Sequence, residues 1–199
     1  HLDTAIGYET MQDIDSSIGL GGFLVLDEDT CMVDLSRYFM EFLQKESCGK
    51  CIPCREGTRR MLQILDEVTR RPREESSHET LERFKGVVEL EGLAEVIRDT
   101  SLCGLGRNAP RPVLSSLKYF RDEFEEHIFD RKCQAGVCRD LRTFYIDASV
   151  CNGCNICLKK CPENAIIGTI RQPHFIIEEK CTGCGRCFDS CKFNAIFYK

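Results

Sequence analysis

The sequence has no apolar stretch long enough to span a membrane, no secretory signal pattern and no long basic run. Its formal net charge of −5 makes nucleic acid an unattractive partner. Gly19, Gly21 and Gly22 do not form a phosphate-binding loop, because they precede a predicted strand and no lysine stands at the required place. These absences predict a cytoplasmic protein with neither a membrane span nor a nucleic-acid site.

Cysteine is abundant instead, with 15 in a chain of 199 residues. A secreted disulfide scaffold would be expected to carry a signal peptide and an even number of cysteines. The odd count and the repeated C-x2-C-x2-C runs predict reduced thiolates that bind metal in the cytosol.

Near the C-terminus, two runs share the spacing C-x2-C-x2-C-x3-C, which is that of bacterial iron–sulfur ferredoxins. The second run follows the first at an offset of 30 residues, and the Asn-Ala-Ile sequence at 164–166 recurs at 194–196. Such a repeat predicts one supersecondary unit used twice, with a shared apolar face.

Three thiolates at i, i+3 and i+6 can wrap one face of an iron–sulfur cube, and the fourth ligand must come from elsewhere. In a two-cluster arrangement, the last cysteine of each run therefore binds the other cluster. Cluster I is predicted to use Cys151, Cys154, Cys157 and Cys191, and cluster II to use Cys161, Cys181, Cys184 and Cys187. The alternative is a zinc ribbon, but a ribbon pairs two C-x2-C knuckles and has no use for the third step. Residues 147–199 closely resemble a bacterial two-cluster ferredoxin, with Lys192 where the first run has Pro162.

Apolar residues at helical spacing predict a small helical bundle over residues 30–130. Its first helix should begin near Asp29 or Thr30, and later helices should cover about 56–70, 78–99 and 112–129. A polar loop is predicted at 71–77, and a turn-rich stretch at 17–22 precedes a predicted buried strand at 23–26.

A third run, formed by Cys48, Cys51 and Cys54, lacks a following x3-C, so its fourth ligand must come from far along the chain. Cys103 lies in a glycine-bracketed loop between helices, from which a thiolate can reach back. Residues 46–58 and 101–106 resemble the cluster loops of the NADH-binding flavoprotein subunit of respiratory complex I. Relatives of that subunit include the matching subunits of NAD-linked hydrogenases and formate dehydrogenases.

That resemblance implies one [4Fe-4S] cluster on Cys48, Cys51, Cys54 and Cys103, next to a flavin that takes hydride from NADH. It also implies that residues 1–29 end a preceding β-grasp domain. The family's FMN- and NAD(H)-binding domain is not in this sequence, so we expect the C-terminal part of a longer polypeptide, with no catalytic residue of its own. A zinc site on the same four cysteines is the alternative.

Three cysteines remain: Cys31, Cys133 and Cys138. With His127 they add up to a Cys3His set, and we predict a structural zinc in the joint at 131–146, from which the ferredoxin region could swing. The alternatives are a free buried thiol at Cys31 and a [2Fe-2S] cluster. His174 is expected to be an ordinary surface residue.

The predicted fold is α+β: a bundle with one [4Fe-4S] cluster, followed by a ferredoxin-like domain with two. Because the ferredoxin extension is typical of hydrogenase-type relatives, the resemblance favours the β subunit of a multimeric NAD(H)-linked [FeFe]-hydrogenase, including electron-bifurcating ones. The chain would relay single electrons between flavin and other carriers. Implied partners are the catalytic hydrogenase subunit, a small [2Fe-2S] subunit and soluble ferredoxin. The alternatives are the matching subunit of formate dehydrogenase or complex I, and a zinc-binding interaction module.

Overall fold

In the computed structural model, which describes residues 3–13, 24–70 and 76–198, helices precede a region of short paired strands. The chain is thus mixed α and β, as the sequence predicts. The helices of the first part are α1 (Tyr8–Asp13), α2 (Met32–Glu46), α3 (Thr58–Thr69), α4 (Ser77–Thr100), α5 (Gly104–Asn108), α6 (Arg111–Tyr119) and α7 (Arg121–Glu125). None of the helices among the described residues is both long and apolar enough to cross a membrane.

Helix α2 begins later than predicted, because its N-cap is Cys31 rather than Asp29 or Thr30. The Cys31 Sγ accepts a hydrogen bond from Asp34 N at 3.4 Å, and a Glu123 carboxylate oxygen accepts one from Met32 N at 2.9 Å. These acceptors satisfy backbone donors that every helix start leaves unpaired. The start of α2 is therefore tied both to a cysteine and to α7.

Helix α4 is the longest element of the bundle and begins with a capping box, in which Ser76 and Glu79 satisfy each other's backbone N–H groups. The Arg83 side chain is only 8% exposed and donates to the carbonyl oxygens of Glu67 and Arg70, at the end of α3. Apolar residues of α2, α3, α4 and α6 fill the core between them, including Val33, Met40, Met61, Ile64, Leu65, Leu90, Ile97 and Val113.

The last helix of the bundle is interrupted, so the prediction of a single helix over 112–129 is wrong. Phe120 leaves helical geometry, with φ −134° and ψ 34°, and separates α6 from α7. A π-helical turn, Glu126–Asp130, then follows α7 and ends at Arg131, whose φ is 53°. This turn buries His127, which is 2% exposed.

The C-terminal region repeats one strand–helix–strand arrangement. Strand β1 (Phe144–Ile146) pairs antiparallel with β4 (Ile196–Tyr198), and β2 (Ile166–Ile167) pairs antiparallel with β3 (Phe175–Ile176). The short helices α8 (Ile156–Lys160) and α9 (Arg186–Ser190) are related by the same 30-residue offset as the cysteine runs. Strand β1 lies within the segment that the sequence assigned to the joint, so the sheet begins before residue 147.

The predicted strand at 23–26 is wrong for its described residues. Leu24, Val25 and Leu26 are 61%, 78% and 40% exposed and form no strand, since no described element covers them. Phe23, the predicted turn at 17–22 and residues 71–75 of the predicted loop lie outside the described residues.

Candidate metal centres

Two cavities of similar size lie in the C-terminal region, each lined by four cysteines. The first is lined by Cys151, Cys154, Cys157 and Cys191, and the second by Cys161, Cys181, Cys184 and Cys187. In each cavity, three cysteines come from one run and the fourth comes from the other run. The structure thus brings together the two sets that the spacing predicts as ligands of clusters I and II.

The last cysteine of each run already receives a backbone hydrogen bond. Ala165 N donates to Cys161 Sγ at 3.3 Å, and Ala195 N donates to Cys191 Sγ at 3.4 Å. Such N–H···S contacts stabilise thiolates and the negative charge of an iron–sulfur cluster. Burial raises the pKa of the Cys157 thiol and raises that of Cys187 to about 11, so these buried sulfurs need a cation to become thiolates. The donor chemistry and the cavities therefore fit two iron–sulfur clusters.

His174 belongs to this region and is not the surface residue that the sequence predicts. It is fully buried, at 0% exposure, and lines the cavity of Cys151 and Cys191. The repeat carried a usable signal, because an offset of 30 residues aligns His174 with Phe144, which is 3% exposed. Burial of one position predicts burial of the other.

The bundle cysteines lie on two loops that pack together. Cys48 and Cys51 lie between α2 and the π-helical turn Pro53–Gly57, Cys54 lies within that turn, and Cys103 immediately precedes α5. A hydrogen bond from the Leu102 backbone lowers the pKa of the Cys51 thiol, which places Cys51 beside the second loop.

Close contact between these loops requires glycine at position 106. A Cβ built there would lie 2.6 Å from Ser101 Cβ and 3.2 Å from Cys54 Cβ. Cys54 is buried, whereas Cys48 and Cys103 are exposed at the surface. The two loops that carry the four thiols thus pack together, and two of the thiols are exposed, which suits a cluster near the surface of the bundle.

Cys31, His127, Cys133 and Cys138 converge into one buried set, and their ligand atoms all lie within 4.8 Å of one another. The Cys31 Sγ is 3.3 Å from His127 Nε2 and 3.8 Å from Cys138 Sγ, and Cys138 Sγ is 3.5 Å from His127 Nε2. Tetrahedral zinc with ordinary bond lengths would separate two sulfurs by about 3.8 Å and a sulfur from a nitrogen by about 3.6 Å. The separations therefore fit one tetrahedral ion.

The surroundings of His127 orient its ring for such a role. Its Nδ1 lies 2.7 Å from the Glu123 carbonyl oxygen, so Nδ1–H donates there and Nε2 faces the three sulfurs. Burial opposes the charged imidazole, but hydrogen bonds with Cys133 and Cys31 outweigh it and raise the pKa of His127 to about 10. Hydrogen bonds from Cys138 and Cys31 lower the pKa of Cys133, while hydrogen bonds with Cys133 and Cys31 raise that of Cys138. Without an ion, the four groups must share protons that a divalent cation would displace.

The joint after this set also contacts the C-terminal region. Arg142 Nε donates to the Gly136 carbonyl oxygen at 2.6 Å, and the guanidinium carbon lies 4.2 Å from the centre of the Tyr198 ring. Leu141 belongs to the bundle core, whereas Phe144 belongs to the core of the C-terminal region. The joint is therefore packed against both.

Comparisons with known proteins agree with this organisation. Residues 34–127 match the family described as the NADH-ubiquinone oxidoreductase-F iron–sulfur binding region, and residues 143–192 match the 4Fe-4S dicluster domain. The chain is 44% identical over 173 residues to the NADP-reducing hydrogenase subunit HndC of Solidesulfovibrio fructosivorans, and the match covers 87% of this chain and 34% of that protein.

The F-type subunits of NADH-quinone oxidoreductases are also similar. The Streptomyces coelicolor protein is 39% identical over 137 residues, covering 67% of this chain and 28% of its own length, and that of Mycobacterium tuberculosis is 38% identical over 134 residues. The chain spans about a third or less of the curated relatives it matches. It therefore contains an iron–sulfur binding region of the NADH-ubiquinone oxidoreductase-F type and a 4Fe-4S dicluster domain, and it is similar to subunits of NADP-reducing hydrogenase and NADH-quinone oxidoreductase.

Proposed function

We propose that this chain is the electron-carrying part of a subunit of a multimeric, NAD(H)- or NADP(H)-linked hydrogenase. It would relay single electrons between a flavin, bound elsewhere in the longer polypeptide, and ferredoxin or neighbouring subunits. The carrying observation is the pair of cavities, each lined by three cysteines of one run and one of the other. Iron–sulfur clusters accept one electron at a time, which is the chemistry needed after a flavin has received a hydride.

Three [4Fe-4S] clusters are part of the proposal: one on Cys48, Cys51, Cys54 and Cys103, and the two ferredoxin-type clusters I and II. The hydrogenase type is favoured over complex I because the hydrogenase relative matches 87% of the chain, whereas the complex I relatives match about two-thirds. Catalytic and [2Fe-2S] subunits and soluble ferredoxin are the proposed partners, and the cytoplasm is the proposed location.

A structural zinc ion on Cys31, His127, Cys133 and Cys138 completes the proposal. The mutual distances support one ion rather than a [2Fe-2S] cluster, whose ligands would be divided between two irons and could not all lie within 4.8 Å of one another. They also argue against a free thiol at Cys31, because its Sγ lies 3.3 Å from an imidazole nitrogen in the same set.

The test is metal analysis of anaerobically purified chain, combined with EPR after reduction. About twelve iron atoms, an equal amount of acid-labile sulfide and one zinc per chain are expected from three cubanes and a Cys3His site. A Cys133→Ser variant should lose the zinc and retain the iron. A colourless protein with zinc at every cysteine set would refute electron transfer and leave a zinc-binding interaction module.

The enzyme class needs a separate experiment, since the matching part of a formate dehydrogenase would give the same metal analysis. The full-length polypeptide, purified by an affinity tag out of its own cells, should bring with it an iron-only hydrogenase subunit and hydrogen-dependent reduction of NAD or NADP. Recovery of a molybdenum or tungsten subunit would replace the hydrogenase assignment with formate dehydrogenase, and recovery of membrane-bound complex I subunits would replace it with complex I.

A further inference from the structure

The two cysteine cavities of the C-terminal region are related by the 30-residue repeat, and this makes them internal controls for each other. Ile146 and Ala195 of the first cavity correspond to Ile176 and Ala165 of the second. The cysteines correspond one to one. Against this shared background, His174 of the first cavity stands where the second has Phe144.

His174 occupies a built pocket. Its Nε2 lies within hydrogen-bond distance of Oδ1 of Asn155, the residue that follows Cys154. The other edge of the ring packs on Gly168, where an added Cβ would lie 2.7 Å from His174 Cδ2 and Cγ. The site therefore fixes the ring on two sides, and no larger residue than glycine fits beneath it.

The remaining ring nitrogen has no partner. His174 Nδ1 is buried and makes no hydrogen bond in the described part of the chain. An unpaired buried nitrogen is costly, and its pairing with a group in the adjacent cavity would remove that cost. Phe144, at the equivalent place, has no polar atom, and contacts the rings of Phe188 and Tyr198 instead.

An anionic cluster in the first cavity would select the neutral tautomer with hydrogen on Nδ1. In the described orientation Asn155 Oδ1 accepts from Nε2–H, which leaves a lone pair on Nδ1. When the Asn155 amide turns by 180°, its N–H donates to Nε2 instead, and Nδ1–H becomes a donor for a cluster sulfur. The opposite tautomer would place a lone pair against negative charge. A hydrogen bond to sulfur stabilises the reduced, more negative form of a cluster more strongly than the oxidised form, and so raises its reduction potential.

We infer that His174 hydrogen-bonds to cluster I and sets its reduction potential above that of cluster II, so that an electron shared by the two sites resides on cluster I. This inference rests on the proposed [4Fe-4S] occupancy of the two cavities. His174 is a tuning residue here, since the thiolates alone hold the cluster.

A second difference between the cavities acts in the same direction. The second cavity is lined by Glu163, whose counterpart in the first is Phe193. A carboxylate near cluster II disfavours addition of negative charge to it, although its exposure to solvent weakens the effect. The polar imidazole and the carboxylate therefore both favour reduction of cluster I.

The experiment is a potentiometric titration of the full-length subunit with reconstituted clusters, followed by EPR and by NMR of the paramagnetically shifted cysteine Cβ protons. NMR of the half-reduced protein identifies which cluster carries the electron. His174→Phe gives the first cavity the aromatic residue that the second has at this position, and should shift the electron equilibrium toward cluster II about tenfold, or about 59 mV for one electron. The reciprocal variant combines Phe144→His with Gly185→Asn, because Gly185 stands where the first half of the repeat has Asn155, and it should raise the potential of cluster II by a similar factor.

His174→Gln retains an amide donor and should remain within about twofold of the natural protein, which separates hydrogen bonding from packing. If His174→Phe does not bind cluster I, the reciprocal variant of the second cavity tests the inference, because it leaves the first cavity unchanged. The inference would be overturned if His174→Phe binds cluster I and the potentials of both clusters are unchanged. If that variant does not bind cluster I, unchanged potentials in the reciprocal variant would overturn it. An iron content of the variant equal to that of the natural full-length subunit would still uphold the proposed clusters, so the two failures are distinguishable.

Discussion

The substitution Gly106→Ala should separate the two loops that carry the bundle cysteines. Helix propensity alone predicts a gain of up to about 1 kcal/mol, because Gly106 lies within α5. The new Cβ, however, would lie 2.6 Å from Ser101 Cβ and 3.2 Å from Cys54 Cβ, atoms that cannot rotate away. Overpacking of this kind costs about 1–3 kcal/mol, so the net loss after the propensity gain is expected to be up to about 2 kcal/mol.

Gly92→Ala is the matched control, since Gly92 is exposed within α4 and an added Cβ meets no atom within 4 Å. It should stabilise the protein by about 0.5–1 kcal/mol. Denaturant midpoints and iron content of both variants check this, with about four of twelve irons expected to be lost from Gly106→Ala. If Gly106→Ala is as stable as Gly92→Ala and retains all its iron, the two loops do not pack as described.

Three further perturbations test the bundle and the joint. Arg83→Met should cost about 1–3 kcal/mol in denaturant unfolding, because two carbonyl oxygens at the end of α3 lose their donor; Arg60→Met, which removes only an exposed pair with Glu89, should cost less than about 1 kcal/mol. Glu123→Ala removes the acceptor for Met32 N and should lower stability by about 1 kcal/mol, measured the same way, with zinc content unchanged because His127 bonds the backbone carbonyl. Arg142→Ala should cost about 1–2 kcal/mol and speed proteolysis at the joint; an unchanged cleavage rate would show that its contacts with Gly136 and Tyr198 do not restrain the C-terminal region.

Local patterns carried most of what the sequence could predict. The spacing within each cysteine run is a local property, and it predicted three of the thiols that line each cavity. The repeat of the same spacing predicted the fourth, such as Cys191, which lies 34 residues from Cys157. The Cys3His set was predicted from the three cysteines that the cluster assignments left over, together with His127, and the structure brings these four residues together. Their ligation of a metal stays a prediction.

Tertiary context explains the errors. An apolar run predicts a buried strand only if another element covers it, and none covers Leu24–Leu26 among the described residues. No proline or glycine stands at the break at Phe120, and the apolar residues keep helical spacing across it, so the sequence predicted one continuous helix. The prediction for His174 was wrong because its burial depends on contacts with Gly168 and Asn155 that its own strand-like segment does not reveal, although the repeat, which aligns it with Phe144, indicated burial.

Cys31 has a consequence for the order in which the protein matures. Its sulfur caps α2 and also belongs to the Cys3His set, so an ion bound there would fix the start of the helix whose other end leads to Cys48. A 15-residue helix spans about 22 Å, and each of its ends lies beside one of the proposed metal sites. Filling the zinc site first would position the loop that later receives iron and sulfide. Cells short of zinc would then accumulate subunits that fail to acquire the bundle cluster, even with iron in ample supply.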